Sequence, residues 1–191
     1  MDQTLSPAAT IIRPLTRDDV AAWRALRLQA LQDHPKAFSE SYAEAAQRDL
    51  AAYAERMPAE GDAAAIFGLF SGGVLHGSAG FAVLAGEQRR HKGLLWGVYV
   101  SSALRGKGLA KPLIQCVITR ARAHVALLQA VVSADNEPAR RLYAALGFRT
   151  YGLEPAGLRV DGEFFDEELI WLDLRSGASL PPGDLSDRRA P

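Results

Sequence analysis

The chain has 191 residues, 48% of them hydrophobic and 23% charged, which suits one domain with a sizeable core. Its 22 basic and 22 acidic residues give a formal net charge of zero, which argues against a dedicated nucleic-acid binder. The single Cys116 excludes an internal disulfide framework and a cysteine zinc site, and no apolar run approaches the roughly 18 residues needed to span a bilayer. The start of the chain lacks the basic and apolar regions of a signal peptide, so a cytoplasmic protein with no membrane partner is expected.

In chain order, residues 1–9 read as a flexible leader and 11–13 as a short first strand. Thr16 caps a helix over 17–32, with Val20, Trp23, Leu26 and Ala30 as its buried stripe. His34-Pro35 ends it. A second helix is expected over 42–56, with Ser41 and Glu44 in capping-box register. Strands follow at 63–70 and 74–83, joined by a hairpin at Ser71-Gly72-Gly73. A central strand at 94–100 leads through a glycine-spaced loop into a third helix reaching about residue 125. A strand at 127–132, a helix over 136–148, and two strands at 148–160 and 163–174 around Asp161-Gly162 complete the domain. Residues 176–191, rich in Pro, Gly, Ser and charge, read as a disordered tail. The crossover from strand 94–100 through a helix to strand 127–132 makes those two strands parallel neighbours.

The chemistry concentrates at the end of the central strand, Val98-Tyr99-Val100, and in Arg105-Gly106-Lys107-Gly108-Leu109-Ala110-Lys111. Glycines there let a ligand approach the backbone, and the first N–H groups of the following helix favour an anion. The loop is not a Walker A loop, because Lys107 is followed by Gly108 and no hydroxyl stands where magnesium would need one. It is not a dinucleotide fingerprint either, since Lys111 occupies the third glycine position. Taken alone it also fits a surface turn ahead of a helix. Pro112 bends the helix if it lies in its interior and is tolerated if it lies in the first turn.

A second motif follows. Asn136-Glu137-Pro138-Ala139-Arg140-Arg141-Leu142-Tyr143-Ala144-Ala145-Leu146-Gly147-Phe148 has an N-cap, a first-turn proline, an apolar face and a C′ glycine. Arg105-x-x-Gly108-x-Ala110 resembles the Q/R-x-x-G-x-G/A signature of the GNAT superfamily of N-acetyltransferases, and this helix resembles the family's N-x-x-A-x-x-L-Y-x-x-x-G-F. The resemblance covers residues 10–175. It implies a mixed α/β sheet of order β-α-α-β-β-β-α-β-α-β-β, the acyl-CoA N-acyltransferase fold, with the central strand splayed from its parallel neighbour at a bulge.

The resemblance implies acetyl-CoA as cosubstrate, with no metal. It assigns cofactor contacts to Val98, Tyr99, Val100, Arg105, Gly106, Lys107, Gly108, Leu109, Ala110, Lys111 and Asn136, and oxyanion donors to backbone N–H groups near Tyr99 and Val100. It gives Tyr143 the role of general acid to the departing thiolate; the competing reading of Tyr143 is a core aromatic. Asn136 serves as a cap in either case, and Arg140 reads equally as a cofactor contact or a solvated charge. Phe38, Glu40 and Tyr42, with Phe164 and Phe165 of the last hairpin, are the candidate substrate residues. The general base is not legible among Glu40, Glu44, Asp166, Glu167, Glu168, His76 and His124. Three readings compete: a small-molecule amine N-acetyltransferase, a protein acetyltransferase for an N-terminal α-amine or lysine, and a non-catalytic acyl-CoA-binding module. The segment 33–62, able to cover an acceptor groove, favours the first. Edge strands at the final hairpin offer a homodimer contact.

Overall fold

The computed structural model describes residues 10–175; the expected leader and tail lie outside the described residues. Strands β1 (Thr10–Pro14), β2 (Ala65–Ser71), β3 (Val74–Val83), β4 (Lys92–Val100), β5 (Leu127–Ser133), β6 (Arg149–Val160) and β7 (Glu163–Asp173) form one sheet in the order β1-β2-β3-β4-β5-β7-β6. Helices α1 (Val20–Asp33), α2 (Tyr42–Gln47), α3 (Leu50–Glu55), α4 (Ala110–Arg122) and α5 (Glu137–Ala145) cover it. None of them is long and apolar enough to cross a membrane.

Both anticipated hairpins form. Gly72 and Gly73 have φ of +57° and +80°, and Asp161 and Gly162 have +51° and +88°, the left-handed pairs that a two-residue turn needs to match strand twist. Every neighbouring strand pair is antiparallel except β4–β5, which is parallel as the crossover requires.

The sheet separates two apolar clusters. On one face Leu113, Ile114 and Val117 of α4 and Tyr143 of α5 pack on Phe81, Leu95, Leu128, Ala130 and Val132. On the other, Val20, Trp23, Leu26 and Ala30 of α1, the stripe read from the sequence, pack with Tyr53, Ile66, Phe70 and Tyr99. Fully burying each large side chain contributes about 1.5–3 kcal/mol.

Most expected elements shift by a few residues at their ends, the third helix stopping at Arg122 rather than near 125, and two change in kind. The first helix opens with a 3-10 turn, Arg17–Asp19, in which the Asp19 carboxylate accepts from Thr16 N at 2.8 Å. The single helix expected over 42–56 is two. Arg48 adopts an extended conformation, and Asp49 caps α3 by accepting from Ala52 N at 2.8 Å. Arg24 of α1 holds the break, donating to Arg48 O and Ala46 O, both at 3.0 Å.

Asp19 also accepts two hydrogen bonds from Arg13, at 2.7 and 2.8 Å. That pairing, chiefly, holds its carboxyl at about 2 against an ordinary 3.8. A depressed acid stabilises the fold above its unfolded value and loses that contribution as pH falls through the folded one. Urea titrations should therefore show about 1–2 kcal/mol lost between pH 4 and pH 2, discounted because Arg13 is partly exposed, and Asp19→Asn should flatten that slope.

Candidate active site

β4 and β5 pair only through Lys92↔Leu127, Gly93↔Leu128 and Leu94↔Gln129. Beyond Leu94 they part. The β3–β4 register shifts so that the step from Ser78 to Gly80 is matched by the longer step from Tyr99 back to Trp96. Gly97 accommodates the extra residue: its φ is +63°, and a Cβ there would meet nothing within 4 Å. The bulge steers the end of β4 away from β5, which continues along β7 to Ser133↔Glu167. Backbone groups of β4 facing the gap thus have no β5 partner, as the resemblance implied.

The glycine loop adjoins this gap. Gly106 and Gly108 have φ of +75° and +73°, and neither Cβ position has a neighbour within 4 Å. The helix that follows has no side-chain cap at Leu109, as α1 has none at Asp19, whereas α2, α3 and α5 are capped by Ser41, Asp49 and Asn136. Pro112 is the third residue of α4, within the first turn, where its missing N–H costs no helical hydrogen bond. An uncapped helix start behind an open glycine loop fits a phosphate group.

Arg105, though exposed, turns back from this loop toward β4 and α1. Its Nε donates to Val100 O at 2.7 Å, its guanidinium lies 3.6 Å from the Asp33 carboxylate, and it stacks 5.3 Å over the Tyr99 ring. Tyr99 donates to Asp33 at 2.6 Å, and burial followed by this bond pushes its phenol up to about 12. Arg105 thus fastens the end of β4 to α1.

Tyr143 packs edge-to-face on Phe148, 5.4 Å between ring centres. The side chain is buried, and burial pushes its phenol well above the ordinary tyrosine value. No hydrogen bond among the described residues engages its hydroxyl. The position combines both readings, a core aromatic with an uncommitted, firmly protonated phenol. Asn136 accepts from Ala139 N at 3.2 Å as a cap, and Arg140 pairs with Glu168 at 2.5 Å.

Opposite the loop, the turn after α1 reaches across to β5. Ser133 Oγ donates to Lys36 O, and the Lys36 ammonium lies 4.0 Å from the Phe165 ring centre. Phe38 carries the Arg27 guanidinium 4.4 Å over its ring, and Tyr42 is exposed. Glu40 accepts from Arg27 at 3.0 and 3.1 Å, from Arg48, and from Arg56 at 3.4 Å. Burial and the neighbouring Arg56 lower Arg27 to about 10. Glu40 therefore ties α1 to α2 and α3. Because both Glu40 and Arg27 are largely buried, Glu40→Ala leaves cations uncompensated and should cost about 3 kcal/mol in urea unfolding.

Most of the other base candidates are also committed. Glu44 caps Ser41, Asp166 accepts from Ala156 N at 2.8 Å, Glu168 pairs with Arg140, and His76 Nδ1 shares a 3.1 Å hydrogen bond with Ser101 Oγ. Sequence reading missed Gly97, Asp33 and Ser133. A lone glycine inside an apolar strand was the available signal for the first.

The chain is similar to several acetyltransferases. A Salmonella typhimurium protein, yncA, solved with its cofactor acetyl-CoA, is 26% identical over 90% of this chain and 97% of its own, with a TM-score of 0.76. A GNAT-family acetyltransferase from Streptococcus pneumoniae has the same fold at 21% identity and a TM-score of 0.77, covering 86% of this chain and 99% of its own. A Bacillus subtilis protein, YwnH, provisionally named a phosphinothricin acetyltransferase, is 30% identical over 78 residues, 40% of this chain. The match spans 48% of that curated relative's length. The acetyltransferase (GNAT) family profile matches residues 25–148, from α1 through the glycine loop to the end of the α5 motif, and the chain belongs to that family.

Proposed function

We propose that the protein moves the acetyl group of acetyl-CoA directly to the primary amine of a small molecule. The observation that carries this reading is the gap between β4 and β5, opened by Gly97 and flanked by the uncapped start of α4. Gly106, Lys107, Gly108 and the backbone of 109–111 would hold the pyrophosphate, and the freed backbone of 98–100 the pantetheine arm. When bound, acetyl-CoA supplies an activated thioester carbonyl. Backbone N–H groups near Tyr99 and Val100 would hold the negative charge that develops on its oxygen, and Tyr143 would hold the proton for the leaving sulfur.

A small acceptor is favoured over a peptide because the turn after α1 is tied down across β5 through Lys36 and Ser133 and to β7 through Phe165. The name of the Bacillus relative points the same way. The test is thiol release from acetyl-CoA with 2-phenylethylamine and glycinamide beside peptides with free N-termini or lysines. Faster release with the small amines supports the reading; release with peptides alone overturns it, and acetyl-CoA binding without any release leaves a binding module. The same reading places the protein in the cytoplasm. It also makes β6, an edge strand, the homodimer contact, testable by sedimentation.

A further inference from the structure

Acyl transfer to an amine needs a group that takes a proton from nitrogen as the N–C bond forms. β4 and β5 part beyond Leu94↔Gln129, and their free ends face each other across the gap. Ser133 lies four residues past Gln129, and Tyr99 five past Leu94 with one of them taken up by the bulge at Gly97, so the two stand at the same height on opposite banks. The turn after α1 is fastened to both. Tyr99 donates to Asp33 at 2.6 Å, and Ser133 Oγ donates to Lys36 O. His34 and Pro35, between these anchors, therefore cross the mouth of the gap. They do so on the α1 side of the sheet, where Tyr99 packs, opposite α4.

We propose that His34 is the general base that takes the amine proton. This rests on the proposed acetyl transfer. Its ring centre is 6.3 Å from that of Tyr99, beside whose backbone the developing oxyanion would sit. The imidazole is exposed and makes no hydrogen bond or ion pair among the described residues. Its backbone is fixed on both sides: His34 N donates to Ala30 O and His34 O accepts from Ala37 N, both at 3.0 Å. The other histidines do not compete for the role. His76 shares its hydrogen bond with Ser101, and His91 and His124 lie at the closed end of the gap, near the Lys92↔Leu127 pair. Partial burial, then Arg105, lower the His34 pKa from its ordinary 6.5 against an opposing pull from Asp33, so at pH 7 the ring is mostly neutral and able to accept. The charged and titratable groups around it are Asp33 on α1, Tyr99 and Arg105 on the β4 side, Lys36 on its own turn, and Glu167 and Glu154 beyond Ser133 on β7 and β6.

The acceptor enters the reaction as the free amine, its ammonium form having lost one proton to solvent. As the N–C bond forms, the nitrogen becomes positively charged and its N–H acidic. His34 takes that proton and passes it to water. The C–S bond breaks, sulfur takes a proton from Tyr143, and Tyr143 recovers one from solvent.

The test compares wild type, His34→Gln and His34→Ala for thiol release with 2-phenylethylamine and glycinamide, with and without added imidazole, and measures acetyl-CoA affinity by calorimetry. At pH 7 both variants should lose about 100-fold in kcat and bind acetyl-CoA as wild type does. Imidazole should raise the rate of His34→Ala several-fold and leave wild type unchanged, which a merely structural role would not produce. The wild-type kcat should also fall on the acid side of pH 6.5 as His34 protonates, a limb the variants should lack. A Gln variant within threefold of wild type at pH 7, or a deficit in His34→Ala that imidazole leaves untouched, overturns the assignment. Wild type that binds no acetyl-CoA, or binds it and releases no thiol with either amine, overturns the acetyl-transfer reading itself.

Discussion

Gly108→Trp is expected to weaken acetyl-CoA binding by more than about 100-fold, or ~3 kcal/mol, while the protein stays folded. The Cβ position of Gly108 opens on space with no atom within 4 Å, immediately before the uncapped start of α4. An indole built there fills the volume a pyrophosphate would need and covers the N–H groups that would meet it. The residue's φ of +73° adds a backbone penalty of about 1–2 kcal/mol for any L side chain, which lowers the melting temperature. Gly108→Ala carries the same penalty without the ring, so the pair separates strain from blockage. Calorimetry should show binding lost in the Trp variant and largely kept in the Ala variant. Equal affinities in all three proteins would remove the loop from the cofactor site.

Tyr143→Phe should lower kcat by about 100-fold and leave acetyl-CoA affinity within about twofold. The substitution removes only the hydroxyl, which no described residue engages, and keeps the edge-to-face contact with Phe148. Its stability should therefore match wild type within about 0.5 kcal/mol. The raised pKa of the buried phenol keeps it protonated through the neutral and mildly alkaline range, so no alkaline loss of rate below pH 10 should trace to Tyr143. Steady-state thiol release over that range checks both points. A kcat unchanged in Tyr143→Phe would return this residue to the core aromatic that its packing also describes.

Features written in a few adjacent residues are legible in the amino-acid sequence. The capping box at Ser41 and Glu44, the Asn136 cap, the two glycine hairpins and the α1 stripe all form where local spacing puts them. Features made by distant partners are not. Tyr99 and Asp33 are 66 residues apart, and Ser133 and Lys36 are 97 apart. No local pattern announces that Arg105 turns back to Val100 and Asp33, or that Glu40 is surrounded by three arginines. The break at Arg48 belongs to the same class. Residues 42–56 have helical spacing throughout, and the interruption is stabilised by Arg24 from another helix. The glycine signature likewise locates the loop, but the separation of β4 from β5 depends on Gly97, one position inside a run of strand-forming residues.

The most direct test of the account is amide hydrogen exchange of the full chain with and without acetyl-CoA. The account predicts that the cofactor slows exchange in the glycine loop and first turn of α4, residues 106–111, and at the end of β4, residues 97–100, with little change in β1 and β2. Protection confined to other parts of the sheet, or none at saturating acetyl-CoA, would contradict it.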